Sequence, residues 1–234
     1  GVTIAQTGTT DGSGNLLTTE AGSTTTFTVV LDAAPTADVT VSITGLDTTE
    51  NSLSGSTLSG TNTLTFNAGN WNTAQTVTVT GVDDSIVDGD ITTTLTATAN
   101  NAGGYAGTET STVTVKNTDD DTNGISITQT GTTDGSGNLL TTEAGSTSTF
   151  TVALNTQPTD TVTVSITGLD ATENSLSSDT LTFTTANWNT AQTVSITGVD
   201  DTLLDGDITT TLTATANNAG GYAGTETSTV TVKN

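Results

Sequence analysis

The chain has 234 residues, of which 31% are hydrophobic and 3% aromatic, so two modest domains with thin cores fit it better than one large core. Two basic residues stand against 25 acidic ones, and the formal net charge of −23 excludes nucleic acid and anionic lipid surfaces as partners. The absence of cysteine excludes disulfides and thiolate metal sites. No apolar run reaches the roughly 20 residues of a membrane span, so we expect no membrane insertion.

One unit occurs twice in the sequence. Residues 6–22 recur unchanged at 129–145, an offset of 129 − 6 = 123. Residues 90–116 recur unchanged at 207–233, an offset of 207 − 90 = 117, so the second copy lacks six residues, which fall in the Gly- and Ser-rich stretch 54–63. The start of the chain lacks the features of a signal peptide, and we expect an internal part of a longer protein. The predicted organisation is repeat 1 at 1–117, an acidic linker at 118–123 and repeat 2 at 124–234.

Alternation of apolar and polar residues predicts short strands, with Gly, Pro, Asn and Asp between them. Seven such strands in about 115 residues are typical of an immunoglobulin-like sandwich, whereas the repeats of a β-solenoid are much shorter. The predicted fold class is therefore all-β, with two tandem immunoglobulin-like antiparallel β-sandwich domains of about seven strands each. In repeat 1 the predicted strands include residues 2–4, 27–31, 39–43, 64–66, 77–79, 95–99 and 113–115.

Acidic residues of repeat 1 concentrate beside the predicted strand ends, at Glu20, Asp47, 83–90 and 119–121. Counting strand reversals places the last three groups at one pole of the sandwich. Glu20 joins them if the chain before its strand folds over the same pole. We expect six to eight carboxylates to crowd there.

Such a cluster is unfavourable without a counterion, because two like charges at about 4 Å repel by about 4 kcal/mol at an effective dielectric near 20. Protonation would relieve the repulsion only through large pKa shifts, so a bound cation is the simpler explanation. Calcium fits best, since it accepts six to eight oxygen ligands in flexible geometry, whereas magnesium prefers stricter octahedra. Zinc and copper are poor candidates for a chain without His or Cys. The predicted cofactor is Ca2+.

Several motifs resemble those of Calx-beta domains. The stretch QTVTVTGVDD at 75–84, followed by Asp88 and Asp90, carries the resemblance, together with TEAG at 19–22 and VTVKNTDDD at 113–121. Calx-beta domains occur in sodium/calcium exchangers and, as long arrays, in bacterial surface adhesins. The resemblance implies a β-sandwich that binds calcium in its distal loops, close to the junction with the next domain.

The resemblance also implies a set of metal ligands. Carried over by position, they are Glu20, Asp47, Asp83, Asp84, Asp88, Asp119, Asp120 and Asp121 in repeat 1, and Glu143, Asp170, Asp200, Asp201 and Asp205 in repeat 2. Asp90 and Asp207 match positions that are also acidic in the exchanger domains, and their direction relative to the metal is left open. The sequence ends at Asn234, before any counterpart of 119–121, so we expect the second site to be partial, weaker or empty.

Other features have plainer interpretations. The loop DGSGN at 11–15, repeated at 134–138, departs from the EF-hand pattern and is read as a hairpin turn rather than a second cation loop. Trp71 and Trp188 are expected to pack against the core rather than to stack on sugars. Tyr105 lies in a Gly-rich loop that we interpret as a flexible hairpin tip. Turn formation or solubility is the alternative interpretation of the Asp pairs.

The functional hypothesis is a calcium-rigidified spacer of a large bacterial extracellular adhesin or repetitive secreted protein. Its expected partners are calcium ions and neighbouring repeats of the same chain, in a monomer, while other parts of the parent protein bind a cell-surface glycan or protein. The alternatives are a module that itself binds a glycan or host protein, and a calcium sensor. No enzyme is expected, because His, Cys and a nucleophile motif are absent. Ice binding by the Thr rows is disfavoured by the twist of a sandwich sheet.

Overall fold

The computed structural model describes residues 1–200, 202 and 206–234 and divides into two compact units. Unit 1 comprises Gly1–Asp84 and Asp88–Asp120, and unit 2 comprises Ser85–Val87 and Asp121–Asn234. No helix with the length and apolar character needed to cross a membrane occurs among the described residues. The predicted all-β fold class is confirmed.

Unit 1 is a sandwich of a four-stranded and a five-stranded sheet. Their strand orders are β1-β3-β7-β5 and β2-β9-β8-β4-β6. The strands are β1 (Val2–Gln6), β2 (Leu16–Thr19), β3 (Thr24–Leu31), β4 (Val39–Thr44), β5 (Asn51–Ser54), β6 (Thr63–Phe66), β7 (Gln75–Gly81), β8 (Ile91–Ala99) and β9 (Thr110–Thr118).

Unit 2 repeats this topology within its described residues. Its sheets have the orders β10-β12-β16-β14 and β11-β18-β17-β13-β15. The strands are β10 (Ile125–Gln129), β11 (Leu139–Leu140), β12 (Thr147–Leu154), β13 (Val162–Thr167), β14 (Asn174–Leu176), β15 (Thr180–Phe183), β16 (Gln192–Gly198), β17 (Thr209–Ala216) and β18 (Thr227–Lys233).

The core of each unit lies between its two sheets, as the alternating pattern predicts. On β3, Phe27, Val29 and Leu31 point inward and are at most 2% exposed, while Thr28 and Val30 between them are only half-buried. Val115 on the opposite sheet belongs to the same buried cluster. Burying each such side chain contributes about 1.5–3 kcal/mol, which is how a chain with few aromatics closes a sandwich.

The structure corrects two details of the predicted sandwich. Among the described residues, each unit has nine strands rather than about seven, because β2 and β5, like β11 and β14, are short and partly polar and show little alternation of apolar and polar residues. The sheets are also not wholly antiparallel. β2 pairs with β9 in parallel through four residue pairs, from Leu16↔Val115 to Thr19↔Thr118, and β11 pairs with β18 in parallel through two.

Gly45 turns the chain where β4 ends and leads towards the acidic segment after it. Its φ of +84° lies in the left-handed region, and a Cβ there would lie 2.3 Å from the backbone carbonyl oxygen of Thr94 on β8. Gly14 has nearly the same φ, +85°, but open space around it. A side chain at Gly45 would therefore meet both backbone strain and steric overlap, whereas a side chain at Gly14 would meet backbone strain alone.

We expect Gly45→Ala to destabilise the protein more than Gly14→Ala. The strain of a left-handed alanine costs about 1–2 kcal/mol at either position, and overpacking against an immobile carbonyl adds about 1–3 kcal/mol at Gly45 only. Urea unfolding in excess chelator measures both changes. Equal destabilisation by the two substitutions would contradict the close approach to Thr94.

Candidate metal centre

Glu20 reaches the acidic pole of unit 1 because β2 runs parallel to β9, so both strands end at the same edge. The Glu20 backbone N–H donates to the Thr118 carbonyl (3.1 Å), and the Glu20 side chain is 2% exposed. Its carboxylate accepts the backbone N–H of Asp120 (3.4 Å). One carboxylate oxygen from each of Glu20, Asp83 and Asp120 lies within 4.8 Å of the other two. The chain before β3 therefore does fold over this pole.

A second group of three carboxylates lies beside the first. It consists of Glu50, Asp84 and Asp88, whose oxygens are also within 4.8 Å of one another. Asp84 directly follows Asp83, so the two groups share one segment of chain after β7. Together they gather six carboxylates from the segments after β2, before β5, after β7 and after β9.

Sequence reasoning missed Glu50, which is 4% exposed and sits immediately before β5. A signal for it was present in the repeat, because Asp-x-Thr-Glu-Asn occurs at 47–51 and again at 170–174, where Glu173 is also buried. Buried carboxylates are rare unless they are paired or hydrogen-bonded or bind a cation.

The electrostatics of this group disfavour its charged state in the absence of a cation. Burial is the main cause that raises the pKa of Glu50; Asp88, Asp47 and Asp84 raise it further, whereas the hydrogen bond from Asn117 lowers it. Burial together with Asp84 and Asp119 raises the pKa of Asp88. A bound cation would offset the repulsion between these carboxylates and lower their pKa values.

Asp47 and Asp170 were predicted as ligands, but the structure gives them a different local role. Both are exposed, and each accepts the backbone N–H and the hydroxyl of the Thr two residues later in a turn. The Thr49 and Thr172 hydrogen bonds lower the pKa of these carboxyls. Neither Asp belongs to a group of three acidic side chains among the described residues.

The start of the linker lies close to the loop after β7. The half-buried Asp119 accepts the backbone N–H of Gly89 (2.7 Å), and its own N–H donates to Asp90 (3.3 Å). Asp121 is half-buried and is the first linker residue of unit 2. The segment from Asp119 to Asp120 is thus held by hydrogen bonds within unit 1.

Both lysines of the chain pair with the Asp that opens the neighbouring strand. The Lys116 ammonium lies 2.5 Å from the Asp90 carboxylate, and that of Lys233 lies 2.6 Å from Asp207. The Lys116 hydrogen bond lowers the pKa of Asp90. Asp90 and Asp207, whose direction the sequence left open, therefore face a lysine.

Repeat 2 places its predicted ligands differently. Glu143, the counterpart of the buried Glu20, is exposed, as is Asp200. Asp201 and Asp205 lie outside the described residues. A bridge between Thr142 and Ser146 puts Glu143 in a tight turn, and β11 ends before it. Within the described part of repeat 2, no three acidic side chains converge as they do in repeat 1.

The donor set of repeat 1 fits a hard cation. Within unit 1, two groups of three carboxylates offer oxygen ligands only, and the oxygens of each group lie close enough together for one ion to bind all three. The cluster therefore offers the oxygen ligands that a hard cation needs, and the predicted residues Glu20, Asp83, Asp84, Asp88 and Asp120 all belong to it.

The other features singled out in the sequence have structural roles. Asp11 caps its own loop by accepting the Ser13 and Asn15 backbone N–H groups (2.9 and 2.8 Å), as in the hairpin turn that the sequence predicts. Trp71 is half-buried against the core. Tyr105 is 7% exposed and its hydroxyl donates to the Ala33 carbonyl (2.9 Å), so its ring is fixed rather than carried on a flexible tip.

Comparison with known proteins finds likeness at the level of the fold. No family model matches the chain, and no curated protein matches it. Solved structures that resemble it include CBD12 from CALX1.2, with 14% identity, 91% of this chain and 80% of that chain covered and a TM-score of 0.32. The calcium binding domain CBD12 of CALX1.1 has 15% identity, coverages of 87% and 77% and a TM-score of 0.32.

The periplasmic chaperone SfaE is matched as well, with 12% identity, coverages of 98% and 97% and a TM-score of 0.34. The TM-scores are low, and they are similar for calcium-binding domains and for a chaperone. These likenesses therefore do not discriminate between functions.

We expect Glu50→Gln to raise the thermal unfolding midpoint of the protein in excess chelator near neutral pH. The raised pKa of Glu50 means that the folded protein binds more protons than the unfolded one, so the stability contributed by this group increases as the pH falls towards the usual Glu value of 4.5. The advantage of the Gln variant should accordingly shrink on acidification, because wild-type Glu50 then takes up a proton.

Glu109→Gln is the matched control, and we expect it to change the thermal unfolding midpoint in the opposite direction. The Glu109 carboxylate accepts backbone N–H groups of Ala106, Gly107 and Thr108, and these hydrogen bonds lower its pKa. This substitution should lower the midpoint near neutral pH. A Glu50→Gln variant that is also less stable would show that the Glu50 carboxylate is favourable without a cation.

Proposed function

We propose that the chain is a pair of Calx-beta-like repeats whose first repeat binds calcium at its acidic pole, and that it serves as a calcium-rigidified spacer in a large bacterial extracellular adhesin or repetitive secreted protein. The observation that carries the proposal is the convergence of Glu20, Asp83 and Asp120 within 4.8 Å, next to the buried Glu50. Three separate chain segments contribute to that one group.

Calcium is the cation that these residues favour. Each group offers three carboxylates, and backbone carbonyls and water would complete the six to eight oxygens that calcium accepts. Calcium tolerates the irregular geometry of loop ligands, whereas magnesium requires a near-ideal octahedron. A concentration of free calcium 100 times the dissociation constant would stabilise repeat 1 by about 2.7 kcal/mol.

The spacer role follows from the repetition and from the position of the ligands. Asp119 and Asp120 belong to the linker, so an ion that binds Asp120 together with Glu20 fixes the start of that linker on repeat 1. Repeated units extend length, and nearly identical copies suit a structural element better than a diversified sensor. The packed Trp71 and the buried Tyr105 leave no large aromatic platform at these positions for a glycan. We also propose no catalytic role, because the sequence has no His, no Cys and no nucleophile motif.

A calorimetric titration of calcium should give measurable binding to the wild-type chain and a weaker first site in Asp120→Asn. The substitution keeps the shape of the side chain but removes one charged ligand, and we expect an affinity loss of about tenfold or more, similar to that for residues that support metal sites. Asp38→Asn, at an exposed position between β3 and β4, is the control and should leave binding unchanged. Equal affinities of both variants and wild type would contradict the site.

Small-angle scattering should change when calcium is removed. If the ion fixes the linker, chelator increases the range of domain arrangements, because an acidic segment without a counterion is extended and mobile. The Asp120→Asn variant should resemble the chelated wild type even in calcium. A scattering profile of the wild type that does not respond to chelator, alongside measurable calcium binding, would rule out the spacer mechanism and leave the binding site intact.

A further inference from the structure

The Asn117 side chain on β9 occupies the buried layer directly beneath the carboxylate site, and it is 1% exposed. Its Oδ1 accepts the Thr18 hydroxyl (2.9 Å), and its Nδ2 donates to the Glu50 carboxylate (3.4 Å) and to the Val82 carbonyl (3.3 Å). The Thr18 hydroxyl in turn accepts from the Asn51 amide (3.0 Å). One neutral amide thus connects β9 with β2, with the residue before β5 and with the residue after β7.

Each of these contacts lies on a segment that carries a carboxylate of the site. Thr18 is two residues before Glu20, Val82 is directly before Asp83, and Asn117 itself is three residues before Asp120. Glu50 is contacted directly. Asn117, on one of the four segments that supply the carboxylates, therefore hydrogen-bonds to each of the other three.

The absence of a side chain at Gly81 makes room for this amide. A Cβ on Gly81, the last residue of β7, would lie 2.6 Å from Asn117 Oδ1 and 2.1 Å from the Thr19 carbonyl oxygen. Only glycine allows β7 to approach the amide and β2 this closely. The close approach brings the chain that leads to Asp83 next to the chain that leads to Glu20.

We propose that Asn117 is the positioning residue of the calcium site, a proposal that rests on the proposed function above. Its amide holds the four ligand-bearing segments in place before an ion binds, although their carboxylates repel one another. A neutral amide can do this without adding charge. Preorganised ligands bind more tightly, since less conformational freedom is lost on binding.

A similar arrangement is present in repeat 2, with the Glu173 carbonyl accepting the hydrogen bond that the Val82 carbonyl accepts in repeat 1. Asn234, the counterpart of Asn117, accepts the Thr141 hydroxyl (3.1 Å) and donates to the Glu173 carbonyl and carboxylate (2.9 and 3.3 Å). A Cβ on Gly198 would lie 2.7 Å from Asn234 Oδ1. The amide is therefore built into the repeat unit even where the described acidic side chains do not converge.

Asn117→Ala in the full chain tests the proposal by separating calcium affinity from stability. We expect the calcium affinity of repeat 1 to fall by about tenfold or more, because partners that orient metal ligands are typically worth 10–100-fold in affinity. Asn234→Ala is the matched control: it removes the corresponding hydrogen bonds in repeat 2 and should leave the affinity of repeat 1 unchanged. Calorimetric titration gives the affinity, and the unfolding midpoint in chelator gives the purely structural effect.

Thr18→Val and Thr18→Ser provide a second test that does not depend on the folding of Asn117→Ala. Valine keeps the shape of the strand residue but removes the hydroxyl that binds Asn117, so calcium affinity should fall; serine restores the hydroxyl and should restore the affinity. A lower midpoint in chelator with unchanged calcium affinity, for either Asn117→Ala or Thr18→Val, would overturn the positioning role. Absence of calcium binding by the wild type would instead overturn the site and the positioning role together.

Discussion

The parallel pairing of β2 with β9 is the interaction on which the acidic pole of repeat 1 depends. Most strand ends of the sandwich reach this pole through antiparallel reversals, but Glu20 precedes β3 and would otherwise lie apart from them. The ladder from Leu16↔Val115 to Thr19↔Thr118 carries it there, and the Glu20 N–H extends the ladder by one further hydrogen bond to the Thr118 carbonyl. Without this pairing the group formed with Asp83 and Asp120 would lose its buried member.

The acidic side chains of the chain have two kinds of partner, namely the lysines and neutral hydrogen-bond donors. The two lysines of the chain pair with Asp90 and Asp207, one in each repeat. The carboxylates deeper in the pole of repeat 1 have Asn117 and backbone N–H groups as partners instead, and the pKa of Glu50 is raised mainly by burial. Neutral hydrogen-bond donors orient these groups without cancelling their charge, which preserves their attraction for a cation.

The two repeats show how nearly identical sequences diverge at one edge. Residues 90–116 and 207–233 are the same, and the amides of Asn117 and Asn234 make corresponding hydrogen bonds. Glu20 is nevertheless buried and Glu143 exposed. Glu20 is covered by hydrogen bonds from Thr118 and Asp120, and the 234-residue sequence includes no counterparts of these two residues in repeat 2.

The sequence by itself determined the duplication, the all-β class and the concentration of acidic residues at strand ends, because period-two alternation and charge placement are local properties. Only the tertiary structure decided which carboxylates converge. Glu50, for which the sequence predicted no role, belongs to a group of carboxylates, whereas Asp47, three residues before it, accepts hydrogen bonds within a turn. The orientation of a side chain at the end of a strand depends on strand pairing and on buried partners such as Asn117, and neither can be read from spacing alone.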